Sequence, residues 1–364
     1  TPTSEVHPTK EDWGDLQSDL YTLGYHAERQ TGYLKKASEL LEQFPTRTQV
    51  DELLKVLKHL EQMAEQAGKP KEKRSSLPNI RLPRLHLPHL DGPTWVVLLM
   101  ALAAAGAAIW VGSSVLSVEE FAFTGARLPA GWDGGRLVVL SDLHGKRFGR
   151  QNSRLLEAVR KAGPDVICLC GDMMDEWSGT EYLRPLLEGL VEIAPVYYVT
   201  GNHEWASGQM PELRQLLEET GVTYLSNTFV PLERNGDTIT LAGIDDPNGY
   251  AGQKSPEEVA GEVKEAAGDG FWLLMAHRNN LFDGEYCRLG ADLVLSGHGH
   301  GGIWRLPFTD GLLGAGGQLL PGFTNGFYRC TDGHEAQVFV TRGLGGIPRL
   351  FNHPQVAVLT LHCE

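Results

Sequence analysis

No CxxC pair occurs in this chain, and its cysteines are few: Cys168, Cys170, Cys287, Cys330 and Cys363. That spacing excludes a zinc ribbon and a thioredoxin-like redox motif. Cys168 and Cys170 alternate within an apolar run and read as small buried residues. The other three leave a disulfide open. Basic charge is also scarce where a nucleic-acid binder would need it. Residues 1–93 hold 13 Lys/Arg against 14 Asp/Glu, and residues 94–364 hold 19 against 32, so nearly all of the formal charge of −14 falls in the second part. Such an acidic domain lacks the basic footprint of nucleic-acid binding.

A third absence is of any charge between Asp91 and Glu119. The run TWVVLLMALAAAGAAIWVGSSVL, residues 94–116, has no polar face. About 20 residues cross the hydrocarbon core of a bilayer, so the run predicts one transmembrane helix, with Trp95 and Trp110 as interfacial aromatics. Its start some ninety residues into the sequence argues against a cleaved signal peptide. Ala104, Ala108 and Gly112 are spaced to allow close helix pairing. Lys69, Lys71, Lys73, Arg74, Arg81 and Arg84 precede the span, while Glu119 and Glu120 follow it. The positive-inside rule then predicts a single-pass cell-membrane protein, its N-terminus cytoplasmic and the residues beyond the span outside.

Ahead of the span, residues 1–67 read as a helical hairpin or coiled coil. Leu16, Leu20, Leu23 and Ala27 follow helical spacing, as do Leu53, Leu57, Leu60 and Ala64, and Pro45 divides the two stretches. Self-association through residues 10–66 is the partner this segment suggests. Residues 68–93, with Pro70, Pro78, Pro83, Pro88 and Pro93, form a basic, partly extended linker.

The domain at 121–364 has a different pattern. The apolar runs RLVVLSD, DVICLCGD, PVYYVTGN, FWLLMAH and DLVLSGH alternate with helical stretches at 153–161, 181–190, 210–220 and 256–266. FVPLERNGDTITLAGI reads as a hairpin turning at Asn235-Gly236, and EAQVFVTRG and QVAVLTL add two more strands. The alternation predicts an α/β fold with helices covering sheets.

Each of the five runs ends in metal-ligand chemistry. SDLHG supplies Asp142 and His144, GDMMD supplies Asp172 and Asp175, and GNHE supplies Asn202, His203 and Glu204. AHRNN supplies His277 and Arg278, and SGHGHGG supplies His298 and His300. Ligands in α/β sheets gather at the carboxyl ends of strands, so the five can converge. In an extended segment residues i and i+2 point the same way, which lets Asp142 and His144 meet one ion. His298 and His300 can then straddle two ions about 3.5–4 Å apart. The glycines at 297, 299, 301 and 302 let the backbone turn tightly beside them.

These five segments, in this order, resemble the calcineurin-like metallophosphoesterase superfamily: D-x-H, G-D-x-x-D, G-N-H-[DE], H and G-H-x-H. The tail TRGLGGIPRLFNHPQVAVLTL resembles its bacterial exported or membrane-attached branch. The resemblance implies a four-layer α-β-β-α sandwich and a phosphoester hydrolase using two divalent ions, for which Mn, Fe and Zn are all suitable. It implies that Asp142, His144 and His300 hold one ion, that Asp172 bridges, and that Asn202, His277 and His298 hold the other. His203 becomes the general acid, oriented by an acidic neighbour, Glu204 or Asp175. Arg278 either touches a phosphate oxygen or pairs with an acidic residue. Attack by a metal-bridged hydroxide on a phosphodiester follows, with the ions offsetting the acidic domain. A phosphomonoesterase of the same fold and a non-catalytic membrane receptor or scaffold are the alternatives.

This chain departs from the branch at Asn279, Asn280 and Gln355, where proline and acids are more usual. The protein Ser/Thr phosphatases carry Asp-Arg-Gly after the second motif, and Glu176 and Trp177 stand here instead. The membrane span directs attention to a lipid or envelope phosphoester.

Overall fold

The computed structural model describes residues 92–250, 252–305, 310–314, 318–346 and 348–364. The helical segment expected over 1–67 and the linker expected over 68–93, except its last two residues, lie outside the described residues. Helix α1 (Gly92–Ser114) is apolar on all sides, and its side chains from Trp95 to Ala107 are exposed. Within it, Trp95–Ser114 has a mean hydropathy of 2.2 and is long and apolar enough to cross a membrane. Only Val115 and Leu116 separate α1 from strand β1 (Ser117–Gly125), so the sheet begins directly after the helix.

The alternation then runs β2 (Arg136–Leu140), α2 (Ser153–Ala162), β3 (Val166–Cys170), α3 (Arg184–Val191), β4 (Val196–Val199), α4 (Asn202–Ala206), α5 (Met210–Thr220) and β5 (Thr223–Tyr224). The hairpin β6 (Thr228–Arg234) and β7 (Asp237–Gly243) turns at Asn235 and Gly236, both at positive φ as such a two-residue turn requires. Helix α6 (Pro256–Ala267) starts at a Ser255–Glu258 capping box. The strands β8 (Trp272–Arg278), β9 (Leu293–Gly297), β10 (Gly326–Arg329), β11 (Gln337–Val340) and β12 (Gln355–Cys363) complete the domain.

Two mixed six-stranded sheets result, ordered β1-β12-β2-β3-β4-β5 and β10-β11-β9-β8-β7-β6. The near-continuous apolar strands are explained by burial on both faces. On β2, Leu137 and Val139 meet Leu273, Met275 and Leu293 of the other sheet, while Val138 and Leu140 pack with Leu155, Leu187 and Leu217 from the helices. Beyond the second sheet, Val259 and Val263 of α6 pack with Leu274 and Val294. The layers are therefore α-β-β-α. Strands β2, β3 and β4 run parallel in one sheet and β8 and β9 in the other, and β3 packs against both β8 and β9. Their carboxyl ends meet at one edge.

Cys168 and Cys170 are buried thiols between the sheets, and Cys287 and Cys330 form a disulfide. The bridge ties the β8–β9 connection to the end of β10 across 43 residues. Replacing both cysteines by serine is expected to lower stability by about 2–4 kcal/mol, chiefly by freeing the unfolded chain. Urea unfolding of the detergent-solubilised protein, read by circular dichroism, checks this.

Candidate metal centre

The extended geometry expected for the ligand pairs is not what the chain adopts. Strand β2 stops at Leu140 and β9 at Gly297, and the side chains in question stand on turns just beyond. Asp142, His144, Asp172, His298 and His300 all have φ between 46° and 65°. Asp and His tolerate this left-handed region better than most residues, yet such positions still cost about 1–3 kcal/mol each when held by their surroundings. The turns aim two side chains of one loop into a common space that a straight strand would have spread along its length. The glycines serve the same end: a Cβ at Gly297 would overlap Ser141 Oγ, so the two sheets can approach here only without one.

Two groups of potential ligands lie side by side, linked through His144 and Asp172. Asp142, His144 and His300 have ligand atoms within 4.8 Å of one another, and so do Asp172, His277 and His298. Asp172 also belongs to a third such group with His144 and His203. His144 Nε2 lies 3.7 Å from Asp172 Oδ2 and 3.9 Å from Asp142 Oδ1, and His300 Nε2 lies 3.6 Å from Asp142 Oδ1. On the other side His277 Nε2 stands 3.1 Å from Asp172 Oδ2 and 3.2 Å from His298 Nδ1. The stack of His144 on His300 and the perpendicular contact of His144 with His203 fill the space between.

These donor sets fit cations. His277 Nδ1 lies 2.8 Å from the Cys170 carbonyl oxygen, which can only accept, so in the neutral ring Nε2 carries the lone pair. That lone pair faces a carboxylate oxygen and another histidine nitrogen, an arrangement of acceptors that needs a positive charge among them. His144 Nε2 and Asn202 Oδ1 are buried with no hydrogen-bond partner. Buried polar atoms are rarely left so, and ion coordination would satisfy both.

The electrostatics agree. Burial disfavours charge on His277, but the Asp172 carboxylate beside it outweighs that and lifts its pKa to about 10. Burial also works against ionising Asp172 and Asp142, yet the surrounding histidines hold both carboxyls below the usual range. Desolvation presses His144 and His298 down to about 4, and lowers His300 as well. Three histidines thus stand neutral and ready to ligate, while one holds a proton in place of a cation.

Of the residues expected to act at or beside the substrate, two are placed otherwise. Glu204 is fully buried beneath the site, where its carboxylate accepts from the N–H groups of Asp172, Met174 and Gly201 and from Tyr198 Oη. Its acceptor positions are occupied, so it ties the Asp172 and Asn202 loops together and does not orient His203. Asp175 closes its own turn, accepting from Trp177 N, Ser178 N and Ser178 Oγ. The acid that faces His203 is Glu176, its Oε1 3.5 Å from His203 Nδ1. Arg278 forms a two-pronged pair with Asp246 at 2.7 and 3.0 Å, so of its two expected partners the acidic one is found. Asn279 donates to the Phe323 carbonyl, and Gln355 accepts from Thr341 and Arg342 N while donating to Glu119 and Asn325.

Arg349 was not foreseen as part of the site. It is fully buried, its guanidinium donates to the carbonyls of Arg342, Gly343 and Gly345, and Nη2 lies 3.5 Å from His300 Nδ1. Its signal was its place in the tail motif, which carried no chemistry of its own.

Residues 135–302 match the family described as calcineurin-like phosphoesterase. Over 251 residues the chain is 33% identical to a transmembrane protein with metallophosphoesterase domain from Danio rerio, covering 65% of this chain and 55% of that protein. It is 28% identical over 237 residues to the phosphodiesterase YaeI of Escherichia coli, covering 62% and 82%. A solved structure, the Haemophilus influenzae NAD nucleotidase, matches with a TM-score of 0.40 at 14% identity, covering 60% of this chain and 45% of that one. The chain spans about half the length of the curated Danio rerio and Caenorhabditis elegans relatives it matches. Relatives named as transmembrane proteins, together with α1, point to membrane anchoring.

Two outcomes are expected of this geometry. Because His277 is protonated without an ion, metal uptake displaces about one proton there, and affinity weakens as pH falls. Titration calorimetry with Mn²⁺ in buffers of different ionisation enthalpy reads that release. Glu204→Gln puts amide hydrogens where donors already point, and costs about 1–3 kcal/mol in thermal or urea unfolding while also weakening metal uptake.

Proposed function

We propose that this chain, whose residues 135–302 match the calcineurin-like phosphoesterase family, is a membrane-anchored phosphodiesterase that loads two divalent ions at the edge where β2, β3, β4, β8 and β9 end. The observation that carries this reading is the pair of ligand clusters, Asp142 with His144 and His300 and Asp172 with His277 and His298, that meet where His144 Nε2 lies 3.7 Å from Asp172, with buried ligand atoms left unpartnered. Asp142, His144 and His300 would hold one ion, Asn202, His277 and His298 the other, and Asp172 both. When bound, the ions supply Lewis acidity toward the phosphoryl oxygens and an activated water as nucleophile.

The chain's own residues do the rest. The Asp172 carboxylate accepts from the His203 N–H at 2.9 Å, which fixes the backbone of the proton donor against the shared ligand. His203 Nδ1 is buried toward Glu176, leaving Nε2 to hold the proton for the leaving-group oxygen. Arg278, held by Asp246, stiffens the loop after His277. The neutral amide of Asn202 adds no charge against the phosphoryl group.

The disulfide supports placing the domain outside the cytoplasm, since cytosolic thiols are kept reduced. It agrees with the basic flank before α1 and the acidic one after it. A phosphoester carried on a lipid or envelope component fits that location.

The full chain, purified in detergent with Mn²⁺, is expected to hydrolyse bis(p-nitrophenyl) phosphate, and to stop when the metal is chelated. His203→Ala should retain metal and lose about 10²–10⁴ in kcat, the range of a general acid. Turnover confined to p-nitrophenyl phosphate would overturn the diester reading. A folded, metal-loaded protein inert toward both esters would overturn hydrolysis and favour the receptor.

A further inference from the structure

Immediately after the ligand loop at His298–Gly302, the chain builds a small platform from segments joined by single β-bridges. Trp304 bridges Leu350 on one side and Leu313 on the other, and Leu313 bridges Leu319. Arg305 N donates to Leu350 O at 2.9 Å, Leu312 N to Trp304 O at 2.8 Å, and Leu320 N to Leu312 O at 3.0 Å. The outward residues are large and apolar: Trp304, Leu319, Leu320 and Phe351 are 41%, 76%, 68% and 56% exposed. Scattered exposed hydrophobics need no explanation, but four on one platform form a patch.

The platform adjoins the end of α1. A Cβ on Gly112 would sit 2.5 Å from the Arg349 carbonyl oxygen and 3.4 Å from Phe351 N. Arg349 N donates to Ser113 Oγ at 2.9 Å, and Lys146 Nζ donates to the Ser113 carbonyl. With only Val115 and Leu116 between α1 and β1, the domain has no tether with which to stand away from the point where the helix leaves a bilayer. Beside Glu119 and Glu120, the same end of the helix has a basic run near it. The stretch from Gly145 to Arg154 holds Lys146, Arg147, Arg150 and Arg154 and no acidic residue, in a domain that is otherwise strongly acidic. Arg154 and Lys161 line a cavity with Val115 and Leu116, in which Glu120 and Glu157 also stand. Apolar side chains at headgroup depth, with basic residues beside them, are what an interfacial membrane contact presents.

We propose that this platform is a second membrane contact: Trp304, Leu319, Leu320 and Phe351 enter the leaflet from which α1 emerges, seating the metal centre at the bilayer surface. The proposal rests on α1 as a membrane span and not on any catalytic role. Its occupant is lipid. The ligand loops stand one side chain from the helix end, since Arg349 touches Ser113 through its backbone and His300 through its guanidinium. A phosphoester presented at headgroup level would then reach the centre without leaving the membrane.

The test uses the full chain in vesicles of phosphatidylethanolamine and phosphatidylglycerol. Leu319→Cys, Leu320→Cys, Phe351→Cys and, as a control at the opposite end of the second sheet, Glu233→Cys are each made in a Cys363→Ser background. Each is labelled with an environment-sensitive fluorophore. Flotation after an alkaline wash reads α1 separately, and failure to float would remove the anchor and the proposal with it. Expected are blue-shifted emission and loss of intensity with doxyl-labelled lipid at 319, 320 and 351, with aqueous iodide quenching only the label at 233. Iodide quenching at the platform like that at 233 would overturn the proposal. So would shielding from both quenchers, which would mean that the chain's own N-terminal segment or a second copy covers the patch.

Discussion

One carboxylate organises the site. Asp172 Oδ1 receives the His203 N–H, Oδ2 stands between His277 and His144, and the backbone N–H of the same residue is held from below by Glu204. Without Asp172, the cluster of His277 and His298 loses its carboxylate, His144 loses a neighbour on that side, and the His203 backbone loses its anchor. A second carboxylate makes the link between sheets. Asp142 accepts from His298 N at 3.1 Å, so a ligand from the end of β2 is tied to one from the end of β9. The left-handed turns at five ligand positions are tolerable because these bonds hold them from several directions at once.

The ligand inventory and the strands that deliver it were legible in the sequence because both follow short-range rules. Apolar runs buried on two faces are continuous, and they end where Asp, His and Asn cluster. The hairpin at Asn235-Gly236 and the helices from Ser153, Met210 and Pro256 follow equally local signals. The carboxylates around His203 were misjudged because proximity in sequence says little about where a buried side chain points. Glu204 is adjacent in the chain but turns inward, under four donors, whereas Glu176 arrives from another loop. Arg349 was missed for a related reason: a fully buried arginine satisfied by carbonyl oxygens has no sequence partner to betray it. The pairing of β1 with β12 and the bridged segments after Gly302 depend on contacts between distant parts of the chain, which periodicity does not encode.

The acidic character of the domain and its chemistry are compatible because charge is distributed by location. At the centre, the carboxylates of Asp142 and Asp172 balance whatever cation they hold. Near the end of α1, Lys146, Arg147, Arg150 and Arg154 form a basic run without an acid among them. A uniformly acidic surface would repel an anionic bilayer as well as an anionic ester. The run from Lys146 to Arg154 and the edge with the candidate ligands are local exceptions to the domain's net charge.

The strand order has a consequence for biosynthesis. Strand β1 follows α1 with only two residues between them, yet among the described strands its one neighbour is β12, in parallel register from Ser117 opposite Gln355 to Gly125 opposite Cys363. As the chain is made, the first strand leaves the span as an unpaired edge and stays so until residues 355–363 have been delivered. The centre of the sheet can assemble meanwhile, but the side joined to the helix closes last. Contacts of such long sequence separation are slow to form, and an open edge held at a membrane is a site for pairing with the wrong partner. The anchor that fixes where this domain works therefore also makes its membrane-facing seam the final step of its folding.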